Sequence, residues 1–184
     1  MIMDHVKDYI IVQNLIPKQL CKSLIIECEK LKWIKHNWYD YGKDKIYPMK
    51  EKELEVLFST PEQIQQLHKY LTKALKNYQN KFSLSGAIEH LSGIRFNRYK
   101  AGTKMKPHCD HIRSLFDGKL KGVPILSFVG LLNDNYEGGE FICRGNKIKL
   151  TRGDILLFPS NFMYPHEVKE VTKGMRFSFV CWAY

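Results

Sequence analysis

Apolar side chains recur at helical spacing in two stretches of the first half of the chain. One follows Pro17, which stands where a proline at the first helical position would stand. Its apolar residues share one helical face: Leu20, Leu24, Ile25, Cys28 and Leu31. The other begins at Thr60, with Gln63 at the capping-box position, and continues to about Lys81. Both patterns predict an amphipathic helix that packs one face on a sheet.

The second half shows short strand-forming runs separated by Gly, Asn and Pro turns. These runs are GIRFNRYK from Gly93, ILSFVGLLN at 125–133, GEFICR at 139–144, NKIKL at 146–150, GDILLFP at 153–159 and GMRFSFVCWAY at 174–184. Such a series is typical of a β-sandwich or barrel. A first short strand is predicted at 8–13. The stretch 36–53 is predicted as a loop that contains a short strand, with an exposed His36. We therefore predict an α+β fold whose helices cover one outer face of a double sheet.

The composition fits one globular domain. The chain has 184 residues, of which 44% are hydrophobic. It has neither an apolar run of membrane-spanning length nor a signal-peptide start, so we expect a cytoplasmic protein without a membrane partner. Five cysteines without a CxxC pair predict reduced thiols rather than a disulfide framework. The net charge of +10 attracts anions, but the lysines are scattered, so nucleic acid is the less favoured partner.

Candidate metal ligands are concentrated in the stretch RYKAGTKMKPHCDH, which ends at His111. Residues two apart on an extended segment point the same way, so His108 and Asp110 can bind one metal while Cys109 faces away. His111 lies on the opposite face and is not expected to be a ligand. An imidazole and a carboxylate suit Fe(II) when a third ligand completes the set. The three-residue pattern is weak evidence by itself, because it occurs often by chance.

Two later residues give this pattern a context. His166 follows a buried strand and a loop, and Arg176 comes ten residues after it. Alternation along the last strand places four side chains on one face: Arg176, Ser178, Val180 and Trp182. A buried arginine needs an anion, which is either a core carboxylate or a bound ligand. Nearby metal ligands favour a dicarboxylate ligand, whose far end a guanidinium binds well.

The second half resembles the 2-oxoglutarate- and Fe(II)-dependent dioxygenases, in particular their prolyl 4-hydroxylase-like branch. The resemblance runs from about Arg95 to Trp182. It is carried by motifs in the family's order: Arg98-Tyr99, Gly102, Pro107-His108-Cys109-Asp110, Leu132-Asn133-Asp134, Gly138-Gly139-Glu140, Gly153-Asp154, His166, Arg176 and Trp182. It implies a double-stranded β-helix (jelly-roll, cupin-like) core at 91–184, with 1–90 as helical support, in a single domain 1–184.

The resemblance also implies a role for each motif residue. The implied Fe(II) ligands are His108, Asp110 and His166. Arg176, where many prolyl hydroxylases have lysine, would bind the C5 carboxylate of 2-oxoglutarate. Tyr99 and Ser127 would assist it, and Trp182 would line the substrate pocket. The chain departs from the family at Met105, where a tyrosine is common.

The implied reaction consumes O2 and 2-oxoglutarate and releases succinate and CO2, with ascorbate as reductant. We expect a peptide or protein substrate, hydroxylated at proline. The segment 112–123 is either a loop that closes over this substrate or an ordinary surface loop. Two alternatives stay open, namely the same chemistry on a nucleic acid or small molecule, and a non-catalytic metal-binding β-barrel. Trp182 stands where nucleic-acid demethylases carry a further arginine, and a purely structural metal site has no use for Arg176.

Overall fold

The computed structural model describes residues 5–40, 45–48, 54–84, 86, 88, 90–110 and 124–184. A 3-10 helix (His5–Tyr9) is followed by strand β1 (Ile11–Asn14) and helix α1 (Lys18–Glu29). Next come β2 (Ile34–Lys35), β3 (Asn37–Asp40), β4 (Lys45–Pro48), β5 (Glu55–Phe58) and helix α2 (Pro61–Phe82). The strands of the second half are β6 (Arg95–Lys100), β7 (Met105–His108), β8 (Leu126–Leu131), β9 (Glu137–Gly138), β10 (Phe141–Cys143), β11 (Asn146–Ile148), β12 (Asp154–Pro159), β13 (His166–Val168), β14 (Val171–Lys173) and β15 (Met175–Ala183).

Two antiparallel sheets form the body of the protein. The larger has seven strands in the order β1-β12-β8-β15-β6-β5-β2, and the smaller has four in the order β11-β10-β13-β7. Strands β3 and β4 pair with each other, as do β9 and β14. Side chains from both sheets share one buried cluster, with Tyr99 and Leu156 from the larger sheet and Met105 and Phe141 from the smaller. The predicted double sheet is confirmed.

Alternation along the strands divides the side chains of the larger sheet between two compartments. On β12, Ile155 and Leu157 belong to the core that also contains residues of both helices. Leu156 and Phe158, between and beside them in the chain, belong instead to the cluster between the sheets. The helices therefore cover the outer face of the larger sheet, as predicted, and its inner face is left to line the space between the sheets.

Both predicted helices form. At the start of α2, the Gln63 backbone N–H donates to Thr60 Oγ1, and the Gln63 side chain accepts from the Thr60 N–H, which completes the capping box. Helix α1 begins one residue later than its proline suggested, since Pro17 is the N-cap residue. Cys21 and Cys28 lie on the buried face of α1, and all five cysteines of the chain are free thiols.

The strand predicted at 8–13 is partly wrong, because residues 8 and 9 belong to the 3-10 helix. The Tyr9 ring stacks on Phe82 at 4.7 Å between centroids, and the Tyr9 carbonyl accepts a hydrogen bond from the Tyr78 hydroxyl. These contacts with α2 hold Tyr9 out of the sheet, so β1 starts only at Ile11. Among the described residues, no helix is both long and apolar enough to cross a membrane.

Candidate active site

Three potential metal ligands meet at the ends of two paired strands of the smaller sheet. Strand β7 ends at His108, and His166 at the start of β13 is its direct partner in the antiparallel register. Asp110 follows two residues after His108. The distances are 3.7 Å from His108 Nε2 to Asp110 Oδ1 and 3.7 Å from His166 Nε2 to Asp110 Oδ2. One donor atom from each residue lies within 4.8 Å of the other two. The ligand set predicted from the sequence is thus brought together.

Backbone contacts orient both imidazoles toward the shared point. Nδ1 of His108 lies 2.7 Å from the Lys106 carbonyl oxygen, and Nδ1 of His166 lies 3.1 Å from that of Tyr164. A proton on Nδ1 donates to each carbonyl and leaves each Nε2 lone pair for a metal. Burial, assisted by the neighbouring His166, lowers the pKa of His108 to about 4, so its imidazole is neutral at physiological pH.

The Asp110 carboxylate is fixed in its ionised form. Burial opposes its ionisation, but the two histidines and the Ser127 hydroxyl outweigh burial and lower its pKa. Ser127 Oγ donates to Asp110 Oδ2 at 2.6 Å and also lies 2.8 Å from Ser160 Oγ. Two imidazoles and one oriented carboxylate are the ligand set of a facial triad, which fits Fe(II).

Ser127 is therefore not where the co-substrate assignment needs it. It is the direct neighbour of Trp182 across β8 and β15. Arg176 lies six residues away from Trp182 along β15, which corresponds to about 20 Å of strand. The Ser127 hydroxyl donates instead to Asp110, so in this structure it is directed toward a candidate metal ligand and not toward Arg176.

Arg176 is buried without an acidic partner in the part of the chain that the structure describes. Its side chain is among the largest fully buried ones, at 1% exposure. Nη1 donates to Ser178 Oγ at 2.8 Å, and the guanidinium lies 5.1 Å from the centre of the Tyr99 ring. Among the described residues, no aspartate or glutamate pairs with it, and its Nε has no hydrogen-bond partner. The predicted alternative, a core carboxylate that neutralises Arg176, is thus not found in the described part of the chain.

The lack of a side chain at Gly139 leaves room for Arg176. Gly139 has φ of +62°, and a Cβ atom there would lie 2.9 Å from Val171 Cγ2 and 3.1 Å from Arg176 Cδ. Any other residue would therefore crowd the aliphatic part of the arginine. The second glycine of the sequence motif therefore admits Arg176, whereas the first, Gly138, lies against the backbone of Glu170 and Thr172.

The cleft between the sheets connects these groups. Its lining includes Tyr99, the three metal ligands, Ser178, Val180 and Trp182, together with Met105, Val129, Phe141 and Val168. Met105, where the family pattern is loosest, is a buried apolar wall residue at 5% exposure. Within the described residues, the buried Asn97 Oδ1 of the cleft has no hydrogen-bond partner. Such a lining is suited to a polar ligand.

Three residues of this region were not predicted. Arg95 and Asn97 line the cleft beside Tyr99. His36 is 6% exposed rather than an exposed loop residue. Burial, assisted by the nearby charges of Arg95 and His108, lowers the pKa of His36 to about 3. The period of two along β6 could have revealed Arg95 and Asn97, because Tyr99 was already placed inward. His111 and the segment 112–123 lie outside the described residues.

Comparison with known proteins identifies the family. The sequence profile described as the 2OG-Fe(II) oxygenase superfamily matches residues 94–184. A PKHD-type hydroxylase of Aliarcobacter butzleri (strain RM4018) is 30% identical over 182 residues, which cover 91% of this chain and 76% of that protein. The chain belongs to the 2OG-Fe(II) oxygenase superfamily.

A second relative of this oxygenase is a PKHD-type hydroxylase of Gluconacetobacter diazotrophicus, 34% identical over 94 residues. That match covers 47% of this chain and 40% of the relative, so the chain spans less than half the length of that protein.

Solved structures confirm the fold of this oxygenase. A viral collagen prolyl hydroxylase from Paramecium Bursaria Chlorella virus-1 superposes with a TM-score of 0.70 at 18% identity, over 95% of this chain and 94% of that one. A Pseudomonas putida prolyl-4-hydroxylase gives 0.67 at 19% identity, over 95% and 91%. The predicted jelly-roll core with helices on one sheet is thereby confirmed.

Proposed function

We propose that this oxygenase hydroxylates a peptide or protein substrate at proline, with Fe(II) held by His108, Asp110 and His166. The observation that carries the proposal is Arg176, a buried guanidinium without an acidic partner in the described residues, packed on a wall of the metal-ligand cleft. An uncompensated buried charge supports an anionic co-substrate, and 2-oxoglutarate is a dicarboxylate. The similar protein of Aliarcobacter butzleri is a PKHD-type hydroxylase, which supports hydroxylation as the reaction. The similar structures are prolyl hydroxylases, which supports proline as the hydroxylated residue.

The proposed co-substrate contacts lie at the deep end of the cleft. Arg176 binds the C5 carboxylate of 2-oxoglutarate through its planar fork. Ser178 accepts from Nη1 and so fixes the rotamer of the arginine. The Tyr99 ring lies beneath the guanidinium, and its hydroxyl is the second proposed donor to the carboxylate. Ser127 is assigned to the orientation of Asp110, which replaces its predicted role at this carboxylate.

The chain's own task is to position groups and exclude water. When bound, Fe(II) with 2-oxoglutarate and O2 supplies the oxidising chemistry, whose products are succinate, CO2 and the hydroxylated substrate. The rings of Phe141 and Phe158 pack on the His166 imidazole at 5.5 and 4.8 Å between centroids. They shield this ligand from solvent and restrict its orientation. Trp182 lines the cleft next to Asp110 and is the proposed wall of the substrate pocket.

The remaining assignments follow the same proposal. Ascorbate is the proposed reductant that keeps the iron ferrous. The five free thiols support a reducing compartment, the cytoplasm. We also propose that residues 1–184 act as one domain, because α1 and α2 share a buried core with the strands that carry the site.

A panel of substrates tests this function. Purified protein with Fe(II), 2-oxoglutarate, ascorbate and O2 is offered proline-containing peptides and single-stranded oligonucleotides with methylated bases. We expect a gain of one oxygen on peptide proline, measured by mass spectrometry. The matched control is the His108→Ala protein, in which this gain is lost. Oxidation of oligonucleotides with none on any peptide would contradict the proposal.

A further inference from the structure

A second guanidinium lies in the cleft, on the strand next to β15. Arg95 alternates with Asn97 and Tyr99 along β6, and all three line the cleft that contains the metal ligands. In the antiparallel register, Arg95 faces Val180 and Tyr99 faces Arg176. The Arg95 guanidinium lies 5.6 Å from the centre of the Trp182 ring, within the range of a cation–π contact. No sequence motif of the family pointed to this residue.

The charge of Arg95 is not neutralised within the described part of the chain. No aspartate or glutamate forms an ion pair with it there, and its buried Nε atom has no hydrogen-bond partner. Burial lowers the pKa of Arg95, which reflects the cost of keeping the charge in this place. Asp110 favours the charged form of Arg95 electrostatically but forms no ion pair with it, because the Asp110 oxygens face Ser127 and the two ligand histidines. A partly buried guanidinium without an ion-pair partner is a suitable site for an anion from outside the chain.

This position is distinct from the proposed co-substrate end of the cleft. Tyr99, beside Arg176, is four residues from Arg95, which corresponds to about 13 Å along β6. Arg95 belongs instead to the metal end, because Trp182 contacts it and is the register partner of Ser127, which holds Asp110. A 2-oxoglutarate that extends from the metal toward Arg176 leaves Arg95 unneutralised.

We infer that Arg95, backed by Trp182, binds a carboxylate of the peptide substrate close to the residue that is hydroxylated. The inference rests on the proposed function and narrows its substrate class to acidic peptides. The carboxylate belongs to an Asp or Glu side chain near the target proline or to the peptide C-terminus. A guanidinium that stacks on an indole presents its fork to one planar carboxylate. The net charge of +10 favours the encounter with an acidic chain.

A peptide fits this cleft better than a nucleic acid does. Nucleic acid-binding surfaces gather many basic side chains because each phosphate must be neutralised. Among the described residues that line the cleft, Arg95 is the single basic side chain apart from the ligand histidines. Arg176 packs behind this lining on the ring of Tyr99, four residues from Arg95 along β6. One guanidinium next to the metal matches one carboxylate.

The test compares peptides that differ by one charge. Pairs of proline peptides carry Asp or Asn beside the proline, and each is made with a free and an amidated C-terminus, which separates the two sources of carboxylate. Binding of labelled peptides to the Fe(II) and 2-oxoglutarate-loaded protein without O2 is measured by fluorescence anisotropy, and hydroxylation by mass gain. Variants are Arg95→Gln and Arg95→Lys. The control is Lys104→Gln, which removes one exposed positive charge outside the cleft.

We expect the wild-type protein to prefer one acidic form by about tenfold or more, the size expected for a hydrogen bond to a charged group. Arg95→Gln abolishes that preference and Arg95→Lys keeps part of it, while the KM for 2-oxoglutarate stays unchanged in both. Lys104→Gln keeps the preference. An acid preference that survives Arg95→Gln, equal binding of both forms by the wild type, or a raised KM for 2-oxoglutarate in Arg95→Gln overturns the inference.

Failure of the proposed function gives a different result. If no peptide gains oxygen, that function fails, and the binding measurement still decides the role of Arg95. Acidic peptides that bind the wild-type protein but not the Arg95→Gln variant support the carboxylate site. Peptides that bind equally to both proteins, or an oligonucleotide that alone binds in an Arg95-dependent way, overturn it.

Discussion

The two faces of strand β15 are formed by alternating residues of one strand, yet they differ in polarity and in the groups that they contact. The face toward the helices carries four buried side chains of the outer core: Phe177, Phe179, Cys181 and Ala183. The face toward the cleft carries Ser178, Val180 and Trp182, which line it, and Arg176, which packs on the cleft residue Tyr99. These four outer residues carry no hydroxyl, amide or charged group. On the inner face, the buried Nε of Arg176 has no hydrogen-bond partner among the described residues.

This difference shows how one strand separates stability from ligand binding. Apolar side chains on the outer face gain free energy by burial alone. On the inner face, the buried charge of Arg176 is unfavourable until a ligand neutralises it. Substitutions on the two faces should therefore affect different measurements.

The largest effect is expected at the metal ligands of the cleft. His108→Ala removes one of three ligand atoms, and we expect metal affinity to fall more than a hundredfold, beyond the tenfold to hundredfold loss that is usual for groups that only orient ligands. Equilibrium dialysis with Fe(II) or Mn(II) measures this. Cys109→Ala is the control, because the Cys109 thiol faces Phe162 rather than the metal. Equal affinities in both variants would contradict the ligand assignment.

A substitution on the outer face should affect stability instead. Phe179 is completely buried and packs edge-on against Phe96, so Phe179→Ala should lower the free energy of unfolding by about 3–5 kcal/mol. The neighbouring Val180→Ala on the cleft face should cost about 1.5 kcal/mol or less, because it removes fewer apolar groups and is only partly buried. Denaturant unfolding checks both. Similar losses at the two positions would remove the distinction between the faces.

Arg176 should affect ligand affinity more than fold. Arg176→Gln removes the proposed charge-assisted contact with 2-oxoglutarate, and we expect its dissociation constant to rise roughly tenfold to a hundredfold. The control is Arg98→Gln, which points away from the cleft and pairs with Glu29 and Glu55. That variant should lose some stability but bind 2-oxoglutarate normally. Calorimetric titration distinguishes the two, and a normal affinity in Arg176→Gln would refute the anion role.

The smallest effect is expected at Ser127. Ser127→Ala removes the hydrogen bond that holds Asp110, so metal affinity should fall about tenfold. The KM for 2-oxoglutarate should stay unchanged when the metal is saturating. Ser23→Ala, whose hydroxyl bonds Glu27 on α1, is the control. A raised KM for 2-oxoglutarate in Ser127→Ala would restore the role that the sequence pattern had suggested.

Much of the cleft was predictable because a strand has a simple period. Alternation alone placed His108 and Asp110 together and turned Cys109 away, and it placed Arg176 inward on β15. The helices were equally accessible, since the capping box at Thr60 and the apolar stripe of α2 agree. Local rules suffice wherever the relevant partner lies within a few residues.

The side chains whose surroundings differ from the prediction have partners far along the chain. Ser127 bonds Asp110 across 17 positions, and this choice of partner follows from how the two sheets face each other. His36 is buried because the fold brings it to His108 and Arg95, which no local pattern reveals. Tyr9 leaves the predicted first strand for contacts with α2, 69 positions away. Tertiary packing determines the contacts of all three residues.

Succinate formation by the purified protein tests the central claim most directly. With Fe(II), ascorbate, O2 and a proline peptide, the wild type should convert 2-oxoglutarate to succinate, with one oxygen gained by the peptide for each succinate that coupled turnover releases. The His108→Ala variant should form no succinate. The Arg176→Gln variant should approach the wild-type rate of succinate formation only at high 2-oxoglutarate concentration. Succinate that appears equally in wild type and His108→Ala, or that never appears with any peptide, would contradict the account.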